Sequence, residues 1–259
     1  MSRLTDRIDR FVYPDMPRRH DDHVVRTEIL RRLRPDHVML DLGAGAGRRL
    51  ALKFRGCCRQ IVDVDLDPRV LDNPFLDEAQ IASAYQLPFI AASFDVVIAV
   101  NVLEHIDDPV RLFAEVRRVL KPGGAFIVRM PNRYHLVPTI AQLTPHRFHV
   151  FIARLHRRAA EDTFPTLYRA NTRAAIRRHA PASGLAVELL RCFEGRPSYL
   201  LISAPLFRLG VPYERLVNST ALFEPFRVSL VAVLRRPAST TRTIPARPGA
   251  QPASGAGIS

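Results

Sequence analysis

The stretch Val38-Met39-Leu40-Asp41-Leu42-Gly43-Ala44-Gly45-Ala46-Gly47 reads as an apolar strand that runs into a glycine-rich turn. Glycines at a strand's carboxyl end let a ligand approach the backbone closely, and a helix amino terminus is expected just beyond them. In the dinucleotide fingerprint the spacing is G-x-G-x-x-G and the ligand is a pyrophosphate. Here the spacing is Gly43-x-Gly45-x-Gly47, and Asp41 sits inside the strand, two residues before the first glycine. A carboxylate at this point repels phosphate and suits a ligand with a cationic or hydrogen-bond-donating group. Spacing and charge together argue against a nicotinamide dinucleotide.

Downstream, Ile61-Val62-Asp63-Val64-Asp65 is a second short apolar strand ending in an acid. In doubly wound sheets an acid at this point accepts hydrogen bonds from a ribose diol. Asp65 is the better placed of the two, because it is last in the apolar run and precedes the turn-like Leu66-Asp67-Pro68. The plainer alternative is that Asp63 and Asp65 only solvate a strand end. Ser93 to Asn101 is nearly continuous in apolar residues, as a strand buried on both faces requires. Val110, Phe113, Ala114, Val116, Val119 and Leu120 then recur at helical spacing, and Lys121-Pro122-Gly123-Gly124 stops that helix ahead of a strand over Ala125–Pro131. This alternation predicts an α/β fold with a parallel sheet and right-handed crossovers.

Residues 38–131 resemble the core of the class I S-adenosylmethionine-dependent methyltransferases, in the broad type 11 branch that includes small-molecule methylases. The resemblance rests on Leu40-Asp41-Leu42-Gly43-Ala44-Gly45-Ala46-Gly47, on Asp65, on Leu87-Pro88-Phe89 and on Ser93-Phe94-Asp95-Val96-Val97. Leu103-Glu104-His105-Ile106 and Leu120-Lys121-Pro122-Gly123-Gly124 complete the ordered set. It implies a Rossmann-like seven-stranded sheet of order 3-2-1-4-5-7-6, the seventh strand antiparallel, with helices on both faces. It also implies S-adenosyl-L-methionine as cofactor. Asp41, Gly43, Ala44 and Gly45 would line its amino-acid end, Asp65 would hold the ribose and Leu66 would pack on adenine. Asn101 and Val102 would sit beside the methionine portion and the methyl group. Where the family often has an aspartate for the adenine amino group, this chain has Ser83, with the backbone of Ala84 and Tyr85 as the other source of contacts.

Some quinone-type O-methyltransferases hold a divalent ion with Glu-x-x-Glu-His after the fourth strand. Here the segment is Asn101-x-x-Glu104-His105, without the first carboxylate, so no metal is expected. His105 reads either as a general base near the methyl group or as an ordinary residue capping the next helix.

Net charge is +13, and the basic residues are almost all arginine, with Lys53 and Lys121 the only lysines. Such a skew follows from a GC-rich genome as well as from phosphate binding. The segment after the fourth strand lacks the Asn/Asp-Pro-Pro-aromatic pattern of many nucleic-acid amino-methyltransferases, and there is no Pro-Cys nucleophile for pyrimidine carbon methylation. Nucleic acid is therefore the less favoured partner. Cys57, Cys58 and Cys192 have no redox or metal spacing and read as free thiols. No apolar run reaches the length of about 20 residues that a spanning helix needs, and Met1–Arg7 lacks the apolar core of a signal peptide, so a soluble cytoplasmic protein is expected.

The expected organisation is an arm over residues 1–23, loosely attached, a methyltransferase domain over 24–236 and a disordered Pro/Ala/Ser-rich tail over 237–259. The domain carries a lid insertion over about 132–169 and an apolar excursion over about 194–227. Between Arg133 and Arg178 there are nine arginines against Glu161 and Asp162. The lid contains His135 and His146 which, with His105, are the candidate bases for an acceptor that must lose a proton. Its arginines suit an anionic acceptor, or equally a solvated basic face. The excursion reads as a packed helical cover for the sheet edge, or as a wall for a lipophilic acceptor or a shallow membrane contact. A small-molecule methyltransferase, with oxygen mildly preferred as acceptor atom, is the leading expectation. An RNA or protein methylase gripping a polymer with the basic lid, and a non-catalytic cofactor-binding protein of this fold, are the alternatives.

Overall fold

The computed structural model describes residues 8–9, 11–14, 21–47, 53–135, 165–197, 200 and 204–238. Strands β1 (Val38–Leu42), β2 (Gln60–Asp65), β3 (Glu78–Ile81), β4 (Phe94–Val100), β5 (Leu120–Pro131), β6 (Ala186–Phe193) and β7 (Ser229–Arg235) form one sheet of order 3-2-1-4-5-7-6. All pairings are parallel except those of β7, which runs antiparallel to both β5 and β6. The strand order is the one implied by the resemblance.

Side-chain alternation along the strands builds two cores. Leu40, Leu42, Val62, Val97, Phe126 and Val128 face one side, where helices α2 (Pro109–Val119) and α3 (Arg173–Ala182) bring Phe113, Val116 and Ile176. Met39, Ile61, Ile98 and Ile127 face the other, with Val25 and Ile29 of helix α1 (Asp21–Leu30) and Phe54. Both crossover helices begin at side-chain caps. Asp108 accepts from the Arg111 amide at 3.1 Å, with Pro109 at the first helical position, and Thr172 accepts from the Ala175 amide at 3.0 Å.

The stop signal Lys121-Pro122-Gly123-Gly124 ends α2 as expected, yet it lies inside β5 rather than before it. Leu120 is already extended and pairs with Phe94, and the register then shifts before Val96 meets Ala125. Gly123, at φ +79°, supplies the left-handed residue of that irregularity and donates its amide to the Arg236 carbonyl at 2.9 Å.

Leu87-Pro88-Phe89 is clamped from α2. Arg118 donates to the Phe89 carbonyl at 2.7 Å and to the Leu87 carbonyl at 3.0 Å, while Glu115 accepts from the Leu87 amide at 2.7 Å. The Arg118–Glu115 pair, at 2.7 Å, orients both groups and holds the Glu115 carboxyl below its usual range. Arg118→Ala is expected to lower stability by about 2 kcal/mol, since two carbonyls lose a charged donor. An unchanged melting temperature would show the clamp to be idle.

Helix α4 (Ala204–Ser219) and a 3-10 turn (Ala221–Phe226) fill the described part of the 194–227 excursion. A buried polar seam ties them to the sheet. Asn132, following β5, donates to the carbonyls of Pro225 and Arg227 at 2.6 and 2.8 Å. Glu194, following β6, accepts from the Val228 amide at 2.8 Å. The arm, read from sequence as loosely attached, is anchored at two described points. Tyr13 is buried and donates its hydroxyl to Glu214 at 3.0 Å, and Asp9 pairs with Arg196. Most of the lid, residues 136–164, and the tail from residue 239 lie outside the described residues.

Candidate functional site

The carboxyl ends of β1, β2 and β4 meet at the glycine turn. The Gly43 amide donates to the Val64 carbonyl at 3.1 Å, which ends the β1–β2 ladder, and Gly43 and Gly45 then take φ of +81° and +53°. A Cβ built on Gly43 would lie 2.7 Å from Cγ2 of Val102, so glycine is required both for its dihedral and for its missing side chain. Asn73 closes the turn from outside, donating to the Gly45 carbonyl at 3.0 Å and accepting from the Phe75 amide at 3.1 Å. The helix terminus expected beyond Gly47 falls on residues 48–52, outside the described set.

Three carboxyls converge here. Asp41 and Asp63 are direct partners in the parallel register, and Asp65 follows on the same face of β2. Asp65 accepts from the Gly45 amide at 3.0 Å and from the Asp67 amide at 2.9 Å. Asp63 accepts from the Ala44 amide at 3.0 Å, and its Oδ1 is buried without a hydrogen-bond partner among the described residues. The turn amides are thus held by the protein's own acids. Asp63 is completely buried, and desolvation, with Asp41 as the nearest like charge, pushes its carboxyl up to about 9. It is a neutral acid at neutral pH. Sequence reading weighed Asp63 only as a rival to Asp65 or as a strand-end solvator and missed this role. The available signal was an acid midway along an apolar strand, opposite another acid.

A cavity of about 390 Å³ opens beside the turn, lined by Asp41, the Gly43–Gly47 backbone, Phe54, Phe75 and Asn101. Asp65, Leu66, Ser83, Ala84, Tyr85 and Val102 do not line it. Leu66 is exposed beside Asp65, where a flat ring could cover it. Ser83 Oγ accepts from the Tyr85 amide at 3.2 Å. The Tyr85 hydroxyl pairs with the Asp107 carboxylate and accepts from the amides of Asp107 and Asp108 at 3.1 and 3.2 Å. Tyr85 therefore couples the segment after β3 to the entry of α2.

After β4 the chain turns sharply. Asn101 adopts φ +61° and accepts from Arg129 at 2.5 Å; Arg129 is itself a buried cation on β5, with Asp22 of α1 3.9 Å away. A left-handed asparagine at a strand end marks a constrained turn. Val102 leads into a short 3-10 turn, Leu103–His105. The end of the lid returns onto it. The Glu104 carbonyl accepts from the amides of Leu167 and Tyr168 at 2.6 and 3.2 Å, and His105 Nδ1 lies 2.9 Å from the Pro165 carbonyl. A carbonyl can only accept, so Nδ1 carries the hydrogen and Nε2 is the basic nitrogen of the neutral ring.

Of the candidate histidines, His105 and His135 sit among different partners. His135 is fully buried, its Nε2 3.5 Å from the Glu194 carboxylate and its ring edge-on to Tyr213 at 5.7 Å. Burial lowers it to about 4, which keeps it neutral. These contacts make it part of the seam under α4. His146 lies outside the described residues. Among the described residues no group of three His, Cys, Asp or Glu side chains could hold a metal ion.

Residues 40–128 match the family profile described as a methyltransferase domain. A protein of Mycolicibacterium smegmatis, named a probable S-adenosylmethionine-dependent methyltransferase, is 32% identical over 105 residues, 39% of this chain and 40% of its own. An uncharacterized methyltransferase of Mycobacterium leprae is 27% identical over 183 residues, 66% of this chain and 67% of its own. The structure of an S-adenosylmethionine-dependent methyltransferase from Mesorhizobium loti superposes with a TM-score of 0.53 at 19% identity, over 83% of this chain and 97% of that one. The chain spans 40% of the length of the Mycolicibacterium smegmatis relative and 42% of that of a Mycobacterium tuberculosis protein likewise named a probable S-adenosylmethionine-dependent methyltransferase. Over residues 40–128 the chain is thus similar to a methyltransferase domain, and its fold is that of solved S-adenosylmethionine-dependent methyltransferases.

Proposed function

We propose that this methyltransferase domain passes the methyl group of S-adenosylmethionine to a hydroxyl of a small-molecule acceptor. The observation that carries the reading is the acidic glycine cradle. Asp41 and Asp65 flank a turn kept bare of side chains at Gly43 and Gly45, beside a cavity within the usual size of small-ligand sites, about 300–1,000 Å³. Paired acids and bare backbone suit an ammonium group and a ribose diol, and would repel a pyrophosphate. Bound there, S-adenosylmethionine supplies a methyl group on a positively charged sulfur, a good donor that needs little chemical help.

The chain's own task is then alignment, water exclusion and one proton. Asp65, fixed by two backbone amides, keeps further lone pairs for ribose hydroxyls, and Leu66 offers an apolar surface beside them. Val102, packed on Gly43, sets the floor toward the acceptor. Positioning alone can remove several kcal/mol of barrier. His105 is the base among the three candidates. It stands on the turn that follows Val102, and Pro165 orients its ring so that Nε2 can take the acceptor's proton.

His105→Ala is expected to lower kcat about 100-fold on a hydroxyl acceptor while leaving the dissociation constant for S-adenosylmethionine unchanged. A full kcat in that variant would remove His105 as the base, though not the domain's cofactor site.

A further inference from the structure

Strand β5 carries a cation on a face that is otherwise apolar. Ile127 is buried in the core beneath α1, and Arg129, two residues on and so on the same side of the sheet, is buried as well. A buried guanidinium is costly unless its donors are met. Asp22 of α1 stands 3.9 Å from one of them. Asn101 meets another, its Oδ1 accepting from Arg129 Nη1 at 2.5 Å. The same two residues are joined again through the main chain, where the Asn101 amide donates to the Arg129 carbonyl at 2.9 Å. Arg129 thus grips, by side chain and backbone, a residue held at φ +61°.

That grip decides which way the Asn101 amide group faces. A guanidinium has only donors, so the atom it meets is the oxygen, and the nitrogen lies on the other side. Asn101 is half-buried and lines the cavity beside the glycine turn. No described residue accepts from its Nδ2. Other donors of the lining are engaged. The Gly43, Ala44, Gly45 and Gly47 amides go to Val64, Asp63, Asp65 and Ala44. Arg69 pairs with Asp67, and Lys53 lies over the Phe75 ring at 3.1 Å. At the ends of the neighbouring strands β1 and β4 the cavity therefore offers an acid, Asp41, and an uncommitted amide NH2. A zwitterionic amino acid carries the complement of both, an ammonium group and a carboxylate.

We propose that Arg129 is a positioning residue, which locks Asn101 so that its side-chain NH2 donates to the carboxylate at the amino-acid end of the cofactor. The inference rests on the reading of this cavity as the S-adenosylmethionine site. It adds to that reading the group that recognises the carboxylate and the group that holds it in place.

Calorimetry with two ligands tests it: S-adenosylhomocysteine, and its decarboxylated analogue, which keeps the ammonium group and lacks the carboxylate. The native chain is expected to bind S-adenosylhomocysteine about tenfold more tightly or better, since a hydrogen bond to a charged group is at stake. Asn101→Asp tolerates the left-handed dihedral and keeps an oxygen for Arg129, but sets carboxylate against carboxylate. It should lose or reverse the preference while binding the analogue at least as well as the native chain does. Arg129→Gln, too short to hold Asn101, should cut the preference about fivefold or more. Arg129→Lys keeps a charge for Asp22 without the guanidinium's fork, and should fall between. A merely structural role would weaken both ligands alike and leave the preference untouched. Equal affinity of the native chain for the two ligands would overturn the proposal, as would a native preference in Asn101→Asp, in Arg129→Lys or in folded Arg129→Gln. Binding of neither ligand by the native chain would remove the cofactor reading itself, and this proposal with it.

Discussion

Asp65→Ala is expected to raise the dissociation constant for S-adenosylmethionine about 100-fold. Two contributions add. The variant removes the acceptor that holds the Gly45 amide at 3.0 Å and the Asp67 amide at 2.9 Å, so the turn loses its brace from β2. It also removes the proposed ribose acceptor, and a hydrogen bond to a charged group contributes about 1.5–3 kcal/mol. A loss of about 3 kcal/mol is roughly a hundredfold in affinity. Asp65→Asn keeps one oxygen for the turn and should fall between the two. Calorimetry that found native affinity in Asp65→Ala would detach Asp65 from the cofactor site.

The second large effect is on stability and follows from Asp63. Its carboxyl, raised to about 9 in the folded chain, titrates near 3.9 when unfolded, the ordinary aspartate value. Below about pH 4 both states are protonated and the burial carries no ionisation penalty. Between about pH 4 and 9 the folded state binds a proton that the unfolded state has released, so stability falls as pH rises through that window. Above it the folded carboxyl ionises as well and the loss levels off. Asn is nearly isosteric, never ionises, and keeps an oxygen for the Ala44 amide. Asp63→Asn should therefore match the native chain near pH 4 and exceed it at pH 8, by about 2 kcal/mol or more, or roughly 5 °C in melting temperature. Melting curves that stay parallel across this range would mean Asp63 is ionised and paired in the fold.

Much of the architecture was legible because it rests on local signals. β4 reads as an apolar run, β1 as an apolar run before glycines, and α2 as an apolar stripe between an Asp-Pro cap and a Gly-Gly stop. Helix α1 was not legible. Its inward positions include Asp22 and Glu28, both buried, beside Val25 and Ile29, so acids interrupt the stripe. They are buried because Arg129 lies near Asp22 and Arg32 pairs with Glu28 at 2.8 Å, partners that no local pattern reveals. The same holds for Asp63, whose partner is an amide 19 positions earlier in the chain, and for Tyr85, which meets Asp107 across the top of the sheet. His135 looked catalytic because a histidine in a basic lid is ambiguous in sequence. Its burial against Glu194 comes from the return of β6, far along the chain. Contacts set by chain topology carry no short-range signature, and most of the site's electrostatics is of that kind.

The central claim is methyl transfer, and it is tested most directly by incubating the protein with methyl-labelled S-adenosylmethionine and separate lipid, metabolite and RNA extracts. The expected result is label in a small molecule of the lipid or metabolite fraction, with S-adenosylhomocysteine formed in equal amount and both signals lost in Asp65→Ala. No label in any fraction from a protein that binds the cofactor, or label confined to RNA, would contradict the account.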